Sequence, residues 1–533
     1  MSSYSKLLSA AVLFALAGAA SAGVTREQAQ SRALTNLFAN PAAAHANSGD
    51  RFKAVDTIID ANGDEHVRFT RSFAGLDVIG GDFVAHSRGG ALRSVSQTLT
   101  SSERPSLRAS LRNDDAIAIA GTEFGTGFQG VPTSRLVVFA LNARPQLAYE
   151  VVFAGQKANG DPTEMHYFVN ASSGKVLDRW DMVHTAKPGG GGTGGGTAAV
   201  GSGRSLMYGT VTLNTASSSG TFNMTDTTRG GGATYDANNV SYSTAARGAT
   251  LFVDADNTWG NNALSDRATV AADAHFGVAT TWDYYKLVHG RNGIFGDGRG
   301  VKSYVHVGRS WVNAAWYANA MYYGDGGGSY LPLVSLDIAG HEMSHGVNQA
   351  TANLAYSNDS GGLNEANSDI MGTLVEFYAN NSNDPGDYRV GEEIYTNGTS
   401  ALRYMYDPNL DGNVSYDCYP AGGLGGVDPH YSSGPANHFF FLLAEGTNGA
   451  GMPASKTCAP GDTKNATGSG SLSGIGRDKA AAIWFKGHTV YMTSGTTYPQ
   501  ARTALLQAAT DLYGATSAER AAVAAAWSAI GVN

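Results

Sequence analysis

The run His341-Glu342-Met343-Ser344-His345 decides how the rest of this chain is read. It matches H-E-x-x-H, and a helix of about 3.6 residues per turn puts both histidines on one face, close enough to share a metal ion. Glu342 points about 100° away from His341 around the helix axis. It therefore suits the role of a base beside the ion and not that of a ligand.

Twenty residues on, Gly361-Gly362-Leu363-Asn364-Glu365-Ala366-Asn367-Ser368-Asp369 opens a second helical pattern, expected to run from about Asn364 to Ala379. Zinc in a hydrolytic site takes three protein ligands and keeps a fourth position open, and two His with one Glu is such a set. Glu365 is the third ligand in this reading. Asp369 lies one turn further on the same face, placed to accept the free ring N–H of a ligating His and fix its tautomer.

The two motifs at this spacing resemble the thermolysin family of zinc endopeptidases. The resemblance implies that His341, His345 and Glu365 bind zinc and that Glu342 is the general base. It also implies an α+β fold: a two-lobed catalytic domain, β-rich in its N-terminal lobe and mainly helical in its C-terminal lobe, with a cleft between and an α+β propeptide in front.

At 533 residues the chain is too long for one ordinary core. Lys6 followed by an apolar run from Leu7 to Ala20 and then Ala20-Ser21-Ala22 reads as a secretory signal over 1–22. The apolar run is shorter than the roughly 20 residues a membrane span needs. An extracellular protein is expected. A formal net charge of −9 without any Lys/Arg block argues against nucleic acid and anionic membranes as partners. Two cysteines, Cys418 and Cys458, form an even set in an oxidising compartment, and one bridge is preferred over two free thiols.

From Gly23 to about residue 185 the chain alternates short β-rich runs with turns, among them His66–Thr70, Phe83–His86, Leu147–Phe153 and His166–Asn170. These runs resemble the two modules of a thermolysin-family propeptide, at about 50–100 and 105–185, and the resemblance implies an intramolecular chaperone and inhibitor. The five histidines of this half are read as surface or packing residues. The linker, 186–200, is glycine-rich and open to proteolysis, so maturation is expected between about Ala186 and Ser205.

The N-terminal lobe is assigned to 201–350, with strands at Leu206–Asn214, Thr250–Asp254 and Val301–Val307 and a helix capped by Ser265 or Asp266 and running to about His289. His275 in that helix is read as a core histidine. Asn313-Ala314-Ala315-Trp316-Tyr317 resembles the family's edge-strand segment, which implies that Asn313 and Ala314 hold substrate as an added strand. An aromatic usually stands where this chain has Ala315.

The helical lobe is assigned to 351–533. Antiparallel pairing of the two motif helices brings Asp337 toward Glu376, and facing carboxylates call for a cation. Calcium is expected there, with Asp387 and Glu392 completing an oxygen cage and Asp384 competing with Asp387. By resemblance, Tyr356 and His430 stabilise the oxyanion, Asp428 orients His430, and Arg403 grips the substrate carbonyl. A pocket beside Leu402, Ile338 and Arg403 predicts cleavage before bulky hydrophobic residues. The expected product is a monomeric zinc endopeptidase acting on proteins or peptides. An inactive zinc protein and a calcium-dependent adhesin are the alternatives, and Glu342, Tyr356 and His430 speak against the first.

Overall fold

A computed structural model of the chain describes residues 24–157, 161–183, 196–449 and 451–533. The expected signal segment and the glycine run up to residue 195 lie outside the described residues. No described helix is long and apolar enough to cross a membrane.

The N-terminal third is built on one nine-stranded sheet. Strand Asp64–Phe73 pairs with Asp50–Ile59, Leu76–Ile79 and Phe83–Arg88. Leu76–Ile79 then pairs in parallel with Thr133–Phe139, Val78 opposite Val138, so the sheet is continuous through both expected modules. Helix Arg26–Ala39, started by a Thr25/Gln28 capping box, buries Ala29, Ala33 and Leu37 at helical spacing. Helix Asn113–Phe124 does the same with Ala116 and Ala120. His66 and His86 are buried in the first module and share a hydrogen bond between their Nδ1 atoms at 2.7 Å.

The next lobe contains a sheet whose main strands are β1 (Gly232–Asp236), β2 (Lys302–Val307), β3 (Ala314–Tyr317) and β4 (Ala320–Gly324), in the order β1-β2-β4-β3. Strand β3 is its edge. A five-stranded sheet beside it includes Thr197–Arg204 and Thr210–Ser218. The strand expected at Leu206–Asn214 begins late, because the Ser205 hydroxyl accepts from the N–H of Met207 and of Tyr208 and folds that segment into a turn.

The first two helices of this lobe are α1 (Tyr242–Gly248) and α2 (Arg267–Leu287), the latter capped by Asp266, which accepts from Ala268 N at 2.9 Å. In α2 His275 is buried, its Nδ1 2.8 Å from the Thr234 hydroxyl and its Nε2 2.8 Å from Asn214 O. Both ring nitrogens are used in packing.

Helices α3 (Leu336–Ala350) and α4 (Asn358–Ala379) run antiparallel through the centre of the molecule. Gly340 and Gly372 allow the close approach: a Cβ on Gly372 would stand 2.3 Å from Asp337 O. The second helix starts at Asn358, earlier than expected, and Gly361 and Gly362 lie inside it. Gly362 is required there because a Cβ would meet Ser432 O at 2.5 Å. The remaining lobe is helical: α5 (Gly434–Ala444), fully buried, then α6 (Arg477–Lys486), α7 (Tyr498–Tyr513) and α8 (Ala518–Ala529). Helix α6 widens beyond Lys486 into a π turn over Gly487–Tyr491. A disulfide joins Cys418 to Cys458 across a Cα–Cα distance of 5.9 Å.

Candidate active site

Helix α3 presents His341 and His345 on one face, and α4 returns alongside it to present Glu365. His341 Nε2 and His345 Nε2 are 3.1 Å apart, and Glu365 lies 3.5 Å from the first through Oε2 and 3.3 Å from the second through Oε1. Ligands at about 2.0–2.1 Å from a tetrahedral zinc stand about 3.3 Å from one another, so the cluster matches that ion in size. Glu365 is fully buried, and its Oε2 has no hydrogen-bond partner among the described residues. An unpaired buried carboxylate oxygen is costly unless a cation meets it. The donor set, two imidazoles and one carboxylate, fits zinc.

The other ring nitrogens are held from behind. His341 Nδ1 is 2.8 Å from Asp369 Oδ1, and His345 Nδ1 is 2.9 Å from Asn364 Oδ1. Asn364 Nδ2 donates to Leu354 O at 2.9 Å, which orients its amide oxygen toward His345. Both histidines thus turn bare Nε2 lone pairs to the same point. Asp369 also accepts from Arg403 Nε at 2.8 Å, from Arg403 Nη2 at 2.6 Å and from Asn437 Nδ2 at 2.8 Å. Asn364 stands inside the second motif without a role assigned to it from the sequence, and Asn437 belongs to no motif that would have singled it out.

Glu342 turns to the N-terminal lobe, where its Oε2 accepts from the backbone N–H of Trp316 at 2.7 Å. That bond ties the carboxylate to edge strand β3, on the side of the cleft where Asn313 and Ala314 lie. Across the cleft, the short helix Pro429–Ser432 carries His430. His430 Nδ1 lies 2.8 Å from Asp428 Oδ1, and its Nε2 lies 3.4 Å from Tyr356 Oη and 3.7 Å from Glu365 Oε2. Tyr356 Oη donates to Glu365 Oε1 at 2.5 Å. Burial disfavours the imidazolium of His430, but the carboxylates of Glu365 and Asp428 outweigh it and raise the pKa.

A second group, one turn before His341, gathers Asp337, Glu376 and Glu392 close enough to share a cation. Glu376 Oε1, Glu392 Oε2 and Asp384 Oδ2 are buried without hydrogen-bond partners among the described residues. Burial, followed by the charge of Asp337, pushes Glu392 up to about 10 and Asp384 up to about 8. Such a set of hard oxygens fits calcium. Asp387, also expected in this group, accepts from Arg389 N and Nε at 2.6 and 2.7 Å, its backbone N–H donates to Glu376 at 3.1 Å, and its charge acts on Asp337 and Glu392. Asp384, nearly fully buried, takes the inner position.

A metal-binding helix pair between a β-rich and a helical lobe defines the class, a metallopeptidase-like hydrolase. Models described as the thermolysin metallopeptidase catalytic domain and alpha-helical domain match residues 200–349 and 352–532. The fungalysin/thermolysin propeptide motif matches residues 50–99, and the peptidase propeptide and YPEB domain matches 113–180. Thermolysin from Alicyclobacillus acidocaldarius is 37% identical over 508 residues, covering 91% of this chain and 86% of its own length. Bacillolysin from Bacillus cereus is 36% identical over 519 residues, covering 91% and 85%. The transglutaminase-activating metalloprotease of Streptomyces mobaraensis is 44% identical over 494 residues, covering 91% of this chain and 61% of its own length. This chain belongs to the thermolysin family of metallopeptidases and carries the propeptide regions of that family.

Proposed function

We propose that this chain is the precursor of an exported zinc endopeptidase, held inactive by its own propeptide until it is cut in the region 186–205. The observation that carries the reading is the convergence of His341, His345 and Glu365 on one point, with Glu342 beside it on a different face of the helix. Zinc bound there supplies Lewis acidity to the scissile carbonyl and to the attacking water. Glu342 takes the proton of that water and delivers it to the leaving amine. The Trp316 N–H keeps the Glu342 carboxylate turned to the substrate side. His430 Nε2 donates to the developing oxyanion, Tyr356 Oη joins it by turning its one proton away from Glu365 Oε1, and Asp428 fixes the proton on His430 Nδ1. Asn313 and Ala314 hold substrate along β3, and Arg403, anchored on Asp369, borders the pocket for a bulky apolar residue after the cut.

Asp337, Glu376, Glu392 and Asp384 would hold calcium, and the ion would tie the first turn of α3, one turn before His341, to the loop that carries Asp384 and Glu392. Inhibition by the propeptide is supported by its contacts with both lobes. Arg68 Nη2 donates to Thr489 O at 3.0 Å and Met492 O at 2.9 Å, Trp311 Nε1 donates to Asp161 at 2.9 Å, and Ser357 Oγ donates to Asp178 at 3.1 Å. An apolar cluster of Phe139, Leu141, Phe168 and Trp180 packs on Ala355 and Tyr356, covering one of the oxyanion donors. The test is Glu342→Ala in the full chain. It should be expressed with one zinc per chain, uncut and without peptidase activity; near-native turnover would break the assignment.

A further inference from the structure

Strand Asp64–Phe73 sets His66 directly opposite His86 of strand Phe83–Arg88, on the sheet face that turns to the helical lobe. Tyr491, from the π turn after α6, lies against both rings, with centroids 6.0 and 4.7 Å away, and each histidine is only 5% exposed. Every ring nitrogen has a partner: the Nδ1 atoms meet at 2.7 Å, His66 Nε2 is 3.2 Å from Asp60 Oδ2, and His86 Nε2 is 2.8 Å from Ser96 Oγ. A carboxylate only accepts, so a neutral His66 carries its proton on Nε2 and leaves Nδ1 bare. His86 must then donate from Nδ1 and accept the Ser96 hydroxyl on Nε2. The uncharged pair has this one arrangement.

The charges around the pair oppose a further proton. Lys486 Nζ, at the end of α6, donates to Asp60 Oδ2 at 2.5 Å, so the acid beside His66 is already matched from the helical lobe. Arg68, two residues along the strand from His66, donates to Thr489 O and Met492 O and lies 3.9 Å from Asp82. Burial, followed by the charges of His66, Arg68 and Lys486, holds the pKa of His86 well below its ordinary value against the pull of Asp60. With both rings charged, N–H would face N–H across 2.7 Å. The other acids nearby have partners of their own: Asp64 bonds Arg88 at 2.5 Å, and Asp511 of α7 accepts from the Tyr491 hydroxyl and lies 3.8 Å from Lys486. Water can reach the pair, since His66, His86 and Tyr491 line a groove of about 670 Å³ between the first propeptide module and α7, whose lining also includes Arg93, Gln97 and Gln500.

We propose that the His66–His86 pair is an acid-sensitive latch between the propeptide and the helical lobe, closed while both rings are neutral and released when the pair takes up a proton from the groove. The inference concerns how the propeptide's hold is regulated and rests on the precursor reading above. Opening removes Tyr491, Lys486 and the carbonyls that fix Arg68, so the hydrated rings regain the ordinary histidine pKa of about 6.5. Below that pH the open form binds more protons than the closed one. The hold is therefore complete above about pH 6.5 and is lost as the pH falls. Asp60 stays ionised throughout this window: burial opposes its charge, but hydrogen bonds from His66 and Lys486 outweigh it and keep its pKa at about 2. With one proton taken up per opening, the open form gains about tenfold on the closed form between about pH 7.5 and about pH 5.5.

The test is amide hydrogen exchange, read by mass spectrometry, on the uncut full chain carrying Glu342→Ala, at about pH 7.5 and about pH 5.5 with zinc and calcium present. After correction for the intrinsic pH dependence of exchange, protection of segment 486–496 should fall about tenfold at the lower pH, while α8 keeps its own. With His86→Gln added, or with His66→Gln and His86→Gln together, the fall should be below about threefold. Equal protection of segment 486–496 at both pH values, or a loss shared with α8, overturns the latch. So does a tenfold fall that persists in whichever variant is secreted. No peptidase activity is read, so these failures leave the endopeptidase in place, whereas that reading fails on near-native turnover by the Glu342→Ala chain.

Discussion

One carboxylate oxygen of Asp369 lies 2.8 Å from Nδ1 of His341. A carboxylate only accepts, so the imidazole carries its proton on Nδ1 and turns a bare Nε2 to the metal cluster. Burial would raise the pKa of Asp369, but the Arg403 guanidinium and His341 outweigh it and hold the carboxyl below its ordinary range. Its charge is thereby available to the histidine throughout the working pH range.

Replacing Asp369 by Ala should therefore act on metal binding as well as on rate. Zinc affinity, read by competition with a chromogenic chelator, is expected to fall about 10- to 100-fold. Arg403→Ala should weaken zinc less, because His341 keeps its partner. Equal zinc loss in both variants would contradict this order.

The oxyanion donors should report in kcat more than in KM. His430→Ala is expected to lower kcat by about 10²- to 10³-fold, the scale for losing one donor to a developing charge. In Asp428→Asn the imidazolium loses one of the two carboxylates that raise its pKa. The alkaline limb of kcat/KM should move to lower pH.

Calcium removal should destabilise the protein increasingly as pH rises. Without the ion, Asp384 and Glu392 hold their protons up to about 8 and about 10, while in the unfolded chain they release them near about pH 4. The folded, ion-free state thus binds more protons than the unfolded one, and its stability falls with pH across that window. Melting with and without a calcium chelator should show a gain from calcium at about pH 8 that exceeds the gain at about pH 5. A pH-independent gain would count against an ion at these four carboxylates.

The bridge between Cys418 and Cys458 spans a sequence separation of 40. Its loss in a double Ser variant should cost about 2–4 kcal/mol, seen as a lower denaturation midpoint with near-native kcat, since neither sulfur touches the cleft.

Arg68 is 5% exposed and donates twice to backbone carbonyls of the helical lobe, at Thr489 and Met492. Arg68→Ala should lower the yield of secreted enzyme while the specific activity of what is recovered stays unchanged. An unchanged yield would indicate that this contact is not needed for propeptide-assisted folding.

The sequence alone determined the chemistry of the centre and the class of fold. Helical periodicity dictates which side chains share a face, so His341, His345 and the Glu365/Asp369 pair were legible from spacing, and the antiparallel return of α4 placed Asp337 near Glu376. Packing between distant segments decided the rest, because local periodicity carries no information about which backbone passes within a few ångströms. The Trp316 N–H on Glu342, the Asn437 amide on Asp369 and the inner position of Asp384 over Asp387 come from loops and strands closing around the helix pair. For the same reason Gly361 and Gly362 read as the opening of a helix, although contact with the segment ending at Ser432 places them inside it. The register that sets Tyr235, Tyr304, Tyr322 and Ala315 side by side likewise came from the tertiary structure, since β1 lies far in sequence from the other three strands.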